Sequence, residues 1–137
     1  MKLFTKESDY AVRALAFLAR KNKKGEVYIS SRLISAEEKI PLVFLRRLLQ
    51  ILVKNRLVVS REGVAGGVKL AADPKKISVA AVMRMIQGDI RLVECMFRKK
   101  ICANRGKCVL RKKMQKIEAG VIREFESINI ADLVDAV

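Results

Sequence analysis

The chain has 137 residues, the length of one domain with a real core and no need of disulfides. Hydrophobic residues make up 51% and charged residues 31%, and the longest uncharged run, Ile77 to Met83, falls far short of the roughly 20 residues of a membrane helix. Lysine and arginine number 29 against 14 acids, a net charge of +15, and histidine is absent. An excess of that size attracts polyanions, so nucleic acid leads as the partner, ahead of a membrane surface. Without histidine there is no imidazole acid–base group, no Ser-His or Cys-His pair and no His-ligated metal. No Walker loop and no GxGxxG after a strand is present, and no enzyme is expected. The opening MKLFTKESDY has no apolar run before a small-residue cleavage site, so a cytosolic protein is expected.

The first helix is expected to start at Thr5, an N-cap residue type, with Glu7 and Asp9 in its first turn where carboxylates suit the helix dipole. Ala11, Ala14, Leu15 and Leu18 recur at helical spacing, and the run Lys21 to Lys24 with Gly25 ends the helix. Val27-Tyr28-Ile29 reads as a short strand. Ser30 or Ser31 caps a short second helix with Leu33, Ile34 and Ala36. Ile40-Pro41 breaks it, and proline suits the first position of a third helix.

That third helix has two faces. Leu42, Leu45, Leu48, Leu49 and Leu52 form an apolar stripe, while Val43, Arg46, Arg47, Gln50 and Lys54 fall together on a second face. A short helix, a tight break and a helix of this kind make a helix-turn-helix candidate. Leu57 to Ser60 reads as a strand and Val68 to Ala71 as its return, with Gly63, Gly66 and Gly67 available for positive φ at the tip. A basic hairpin directly after a helix-turn-helix is a wing. Val43, Arg46, Arg47 and Gln50 would then face base edges and phosphates of double-stranded DNA in the major groove, while Arg61 and Lys69 reach the neighbouring backbone or minor groove. One such module buries little area, so a homodimer on two half-sites is expected.

Asp73-Pro74 is a turn, and Ser78 caps a fourth helix, Val79 to Gln87, closed by Gly88. From about Val109 a long helix carries Leu110, Met114, Ile117, Val121 and Phe125 in a narrow stripe, closer to a dimer seam than to a face wrapped on a core. The expected organisation is mainly α with a small β wing: residues 1–75 form a winged helix-turn-helix, and residues 76–137 form a cysteine loop and dimerisation helices. The three cysteines, Cys95, Cys102 and Cys108, lie in one stretch, and from Arg98 to Lys116 no acid occurs. Such surroundings favour the thiolate, the metal-binding and redox-active form. Three thiolates can hold three corners of an iron–sulfur cluster or of a zinc tetrahedron, with a fourth ligand from elsewhere; redox switching and inert thiols are the other readings.

A winged helix-turn-helix, a three-cysteine loop and a long helix together resemble the Rrf family of bacterial regulators. The resemblance covers nearly the whole chain. It rests on TKESDYAVRAL (5–15), IPLVFLRRLLQILVKNRLV (40–58), REGVAGGVKLA (61–71), ISVAAVMRMIQG (77–88), the three cysteines and INIADLV (128–134). It implies a homodimeric DNA-binding transcription regulator, a repressor in the first instance. Its affinity would depend on an iron–sulfur cluster, 4Fe-4S or 2Fe-2S, bound by Cys95, Cys102 and Cys108. One branch of the family takes its fourth ligand from a histidine three residues after the last cysteine, where this chain has Arg111. Another takes an aspartate near the start of the first helix of the other subunit, where this chain has Asp9, with Glu7 as the fallback. Where several relatives carry a site-discriminating glutamate in the recognition helix, this chain has Arg46, and arginine prefers guanine edges or phosphate.

Overall fold

The computed structural model describes residues 3–25, 27–91 and 108–134. Helix α1 (Lys6–Asn22) starts where Thr5 Oγ1 accepts the Ser8 amide at 3.2 Å, as its residue type predicts. Ala11, Ala14, Leu15 and Leu18 are fully buried along it, and α1 becomes the post on which the rest packs. Helix α2 (Ser31–Glu38) is capped by Ser30, whose side chain accepts from the Leu33 amide. It ends at Lys39, which takes a left-handed φ of 54°. Pro41, expected as the first helical residue, sits one position earlier, at the N-cap of α3 (Leu42–Lys54). Its extended ψ of 129° turns the chain sharply between the two helices.

Four of the five leucines of the α3 stripe do what their spacing predicts, while Leu42 in the first turn is only half-buried. Leu45, Leu48, Leu49 and Leu52 are buried in one core with Leu15, Leu18, Ile34 and Ile40. Strands β1 (Val58–Arg61) and β2 (Gly67–Leu70) pair antiparallel, with Val58 opposite Leu70 and Arg61 opposite Gly67. Both lie one residue nearer the tip than the sequence predicts. The Val27–Ile29 strand reduces to one bridge: Ile29 and Val68 exchange two backbone hydrogen bonds of 2.8 Å. Gly67 makes this possible, since a Cβ there would lie 2.3 Å from the Ile29 carbonyl oxygen and its φ is +146°.

A 3-10 turn at Pro74–Lys76 leads into α4 (Val79–Gln87), capped by Ser78 and closed by Gly88 at φ +85°. Val79, Ala80, Val82 and Met83 join the core. Helix α5 (Val109–Ser127) buries no residue, and only its last turns, at Ile122 and Phe125, rest against the core. Helix α6 (Ile130–Val134) was not expected. Five residues are too few to show a period, yet Ile130 is fully buried, its amide bonds the Ile77 carbonyl, and α6 packs on α1. The core thus joins α1 to α4 and α6, from the two ends of the chain. No helix among the described residues is long and apolar enough to cross a membrane.

Candidate nucleic-acid interface and cysteine site

Because one face of α3 is locked into the core, the other is presented to solvent in a fixed orientation. Val43 is 81% exposed, and Arg46, Arg47 and Gln50 are exposed beside it. Arg46 and Gln50 line a shallow cleft with Ser31 at the start of α2 and with Ser60 and Gly67 of the wing. The helix-turn-helix and the hairpin therefore form one continuous surface.

Arg47 is held in a way its spacing does not show. Its guanidinium pairs with the Glu7 carboxylate of α1 and lies 5.7 Å from the centroid of the Phe44 ring. The two residues are 40 apart in sequence. Both are about half exposed, so the pair adds at most about 1 kcal/mol to stability. Its consequence is positional, since it ties the exposed face of α3 to the first turn of α1.

On the wing, the Arg61 guanidinium lies 4.1 Å from the centroid of Tyr28, and Lys69 Nζ lies 5.1 Å from the same ring. Arg61 also donates to the Ala65 carbonyl at 2.8 Å. Sequence reasoning placed Arg61 and Lys69 but not Tyr28, whose only signal was an aromatic in a short β run. Gln87 escaped too. It closes α4, yet its Oε1 accepts from Ser8 Oγ at 2.6 Å, the Thr5 amide at 3.2 Å and Thr5 Oγ1 at 3.3 Å, and its Nε2 donates to the Leu3 carbonyl at 3.0 Å. This amide anchors the end of α1 that carries Glu7 and Asp9.

Asp9 pairs with Arg13 at 3.2 Å and lines a cleft shared with Phe4, Phe125 and Leu133. Cys108 is the N-cap of α5, half-buried, with its Sγ accepting the Arg111 amide at 3.4 Å. Cys95 and Cys102 lie outside the described residues. Among the described residues no group of three His, Cys, Asp or Glu side chains has metal-binding geometry. About 25 Å of helix separates Cys108 from Phe125, whose cleft Asp9 shares. One chain therefore does not bring Cys108 and Asp9 together, and a site using both must draw on two chains.

Residues 4–136 match the Rrf2 family, described as an iron-dependent transcriptional regulator. The chain is 28% identical over 130 residues to the HTH-type transcriptional regulator NsrR of Oceanobacillus iheyensis, covering 94% of this chain and 87% of that one. It is 28% identical over 131 residues to the HTH-type transcriptional regulator IscR of Serratia proteamaculans, covering 96% and 78%. Among solved structures, CymR, the global cysteine regulator of B. subtilis, has a TM-score of 0.82 at 23% identity, covering 100% of this chain and 99% of that one. IscR of T. potens has a TM-score of 0.76 at 23% identity, covering 96% and 85%. At those identities the two structures speak for the fold alone. With a core-locked helix presenting arginines beside a basic wing, and a family match from end to end, the chain belongs to the Rrf2 family of DNA-binding transcriptional regulators and is not an enzyme.

Proposed function

We propose that this regulator acts as a homodimer whose affinity for specific double-stranded DNA is set by an iron–sulfur cluster. The observation that carries the DNA half is the division of α3, with Leu45 and Leu52 fully buried and Val43, two residues before Leu45, 81% exposed on the opposite face. Val43, Arg46, Arg47 and Gln50 read the major groove, and Arg61 and Lys69 hold the adjoining backbone or minor groove. Residues 1–75 read DNA, and residues 76–137 sense and pair the subunits. Pairing is supported by the apolar stripe of α5, where Leu110 is 69% and Ile117 55% exposed in a single chain.

Cys95, Cys102 and Cys108 would supply the thiolates and Asp9 of the partner subunit the fourth ligand. A cluster held there, 4Fe-4S or 2Fe-2S, supplies a centre sensitive to oxygen, nitric oxide and iron supply. The chain's own residues carry the signal onward. Glu7, in the same helical turn as Asp9, pairs with Arg47 on the recognition face, so a shift of the α1 N-terminus reaches the residue that meets DNA. A coupling of about 1.4 kcal/mol suffices for a tenfold change in affinity.

The test is iron and sulfide analysis, iron K-edge and visible absorption of anaerobically purified protein, alongside DNA binding. Bound iron and sulfide that Cys108→Ser or Asp9→Ala diminishes, with changed DNA affinity, supports the proposal. One feature of the chain favours a second reading: Arg111, which has no imidazole, stands where one branch of the family has its histidine ligand. A protein that binds neither iron nor sulfide, yet binds DNA in a thiol-, zinc- or metabolite-dependent way, overturns the cluster and leaves the DNA interface standing.

A further inference from the structure

Tyr28 has no place in the interface as read from sequence, yet it lies where two of the proposed DNA-contacting cations converge. The placement follows from the register. Ile29 pairs with Val68, and both are buried. Alternation along a strand turns their neighbours Tyr28 and Lys69 to the opposite face. Arg61 pairs with Gly67, the other neighbour of Val68, so it shares that outer face. Three short segments thus place one aromatic ring beneath two cations, with the Arg61 guanidinium 4.1 Å from the ring centroid.

Arg61 is constrained twice. Its guanidinium carbon lies over the ring, and one N–H donates to the Ala65 carbonyl at the wing tip. A guanidinium has five N–H donors in a rigid fork, so most remain for a ligand. Among the described residues no carboxylate pairs with Arg61, unlike Arg47, which Glu7 holds. An arginine already fixed in one rotamer loses little entropy when it meets its ligand.

We propose that Tyr28 is a positioning residue of the DNA interface: its ring, with the Ala65 carbonyl, fixes the Arg61 guanidinium so that its remaining donors meet a backbone phosphate of duplex DNA. This rests on the DNA reading above. The ring is what matters, and the phenol hydroxyl is not required.

The test is titration of a labelled mixed-sequence duplex by fluorescence anisotropy at several salt concentrations. Tyr28→Leu is expected to bind about fivefold more weakly, with the salt slope reduced by about one unit per chain. Tyr28→Phe stays within about twofold of the natural protein. In an Arg61→Ala background, Tyr28→Leu adds no further loss. A Tyr28→Leu defect of the same size without Arg61, or an equal defect in Tyr28→Phe, overturns the proposal. A readout free of DNA keeps it falsifiable if Tyr28→Leu folds poorly. Arg61 side-chain proton resonances are shifted upfield by the ring in the natural protein and in Tyr28→Phe, and unshifted resonances in both refute the stack. A natural protein with no duplex affinity sinks the DNA reading itself. Normal binding with a fully active Tyr28→Leu sinks only the role of Tyr28.

Discussion

Gln87→Leu tests the claim that one half-buried amide anchors the N-terminus of α1 to α4. The substitution keeps side-chain volume roughly constant and deletes four hydrogen bonds, three accepted by Oε1 and one donated by Nε2. Two of the stranded groups, the Thr5 amide and the Leu3 carbonyl, are half-buried and can turn to water. Ser8 cannot, because it is fully buried. A buried donor left short of its partner costs about 1–3 kcal/mol, and each of the other bonds adds a fraction of its usual ~1 kcal/mol, so the loss comes to about 2–4 kcal/mol. For a chain of this size that corresponds to a Tm lowered by roughly 10 °C. Urea unfolding should show a lower midpoint at unchanged m-value. Gln87→Glu, which keeps an acceptor for Ser8 and Thr5 but sets an oxygen against the Leu3 carbonyl, should cost about half as much. Gln87→Leu as stable as the natural protein, or more so, would refute the reasoning.

Gly67→Ala would drive a Cβ to 2.3 Å from the Ile29 carbonyl oxygen at a φ of +146°. It should destabilise by about 2–4 kcal/mol in a thermal scan, and an unchanged Tm contradicts the tight contact between β2 and the Ile29 segment. Leu45→Ala and Val43→Ala, two residues apart on α3, should separate stability from function. The first removes a fully buried side chain and costs about 3 kcal/mol, while the second touches an 81% exposed residue, leaves stability within about 0.5 kcal/mol and weakens DNA binding. Equal stability losses in the two would contradict the facial division of α3. Glu7→Gln frees Arg47 and removes a negative charge beside the recognition face, so DNA affinity should rise about two- to fivefold in anisotropy titrations; a fall would show that the pair orients Arg47 for binding.

Local chemistry made much of this fold legible in the sequence. Thr5, Ser30 and Ser78 cap helices because their hydroxyls accept orphan amides, and each does so here. The leucines of α3 report their buried face through period alone. Asp73-Pro74 and Gly88 mark the ends of segments as residue types should. What stayed hidden depends on partners distant in sequence. Gln87 looks like an ordinary C-terminal glutamine until α1 folds across it, 79 residues away from Ser8. Tyr28 looks like a strand residue until the Ile29–Val68 bridge carries it over the wing, and Glu7 looks like a dipole acid until Arg47 arrives. α6 is held by Ile130 in a pocket that no pattern of five residues can announce. Of the candidate site, the exposed side chains of α3 were legible because exposure is the complement of the core stripe. The separation of Asp9 from Cys108 along α5 was not, because it depends on where α5 packs and not on any local pattern.

Equilibrium binding of duplex DNA across a salt series bears most directly on the interface itself. Arg46, Arg47, Arg61 and Lys69 each meeting a phosphate predict a slope of log K against log salt near −3.6 per chain and about −7 for a dimer. Replacing all four by alanine in a protein that remains folded should remove most of that slope. A shallow dependence in the natural protein, or a steep one that survives the four replacements, would contradict the account.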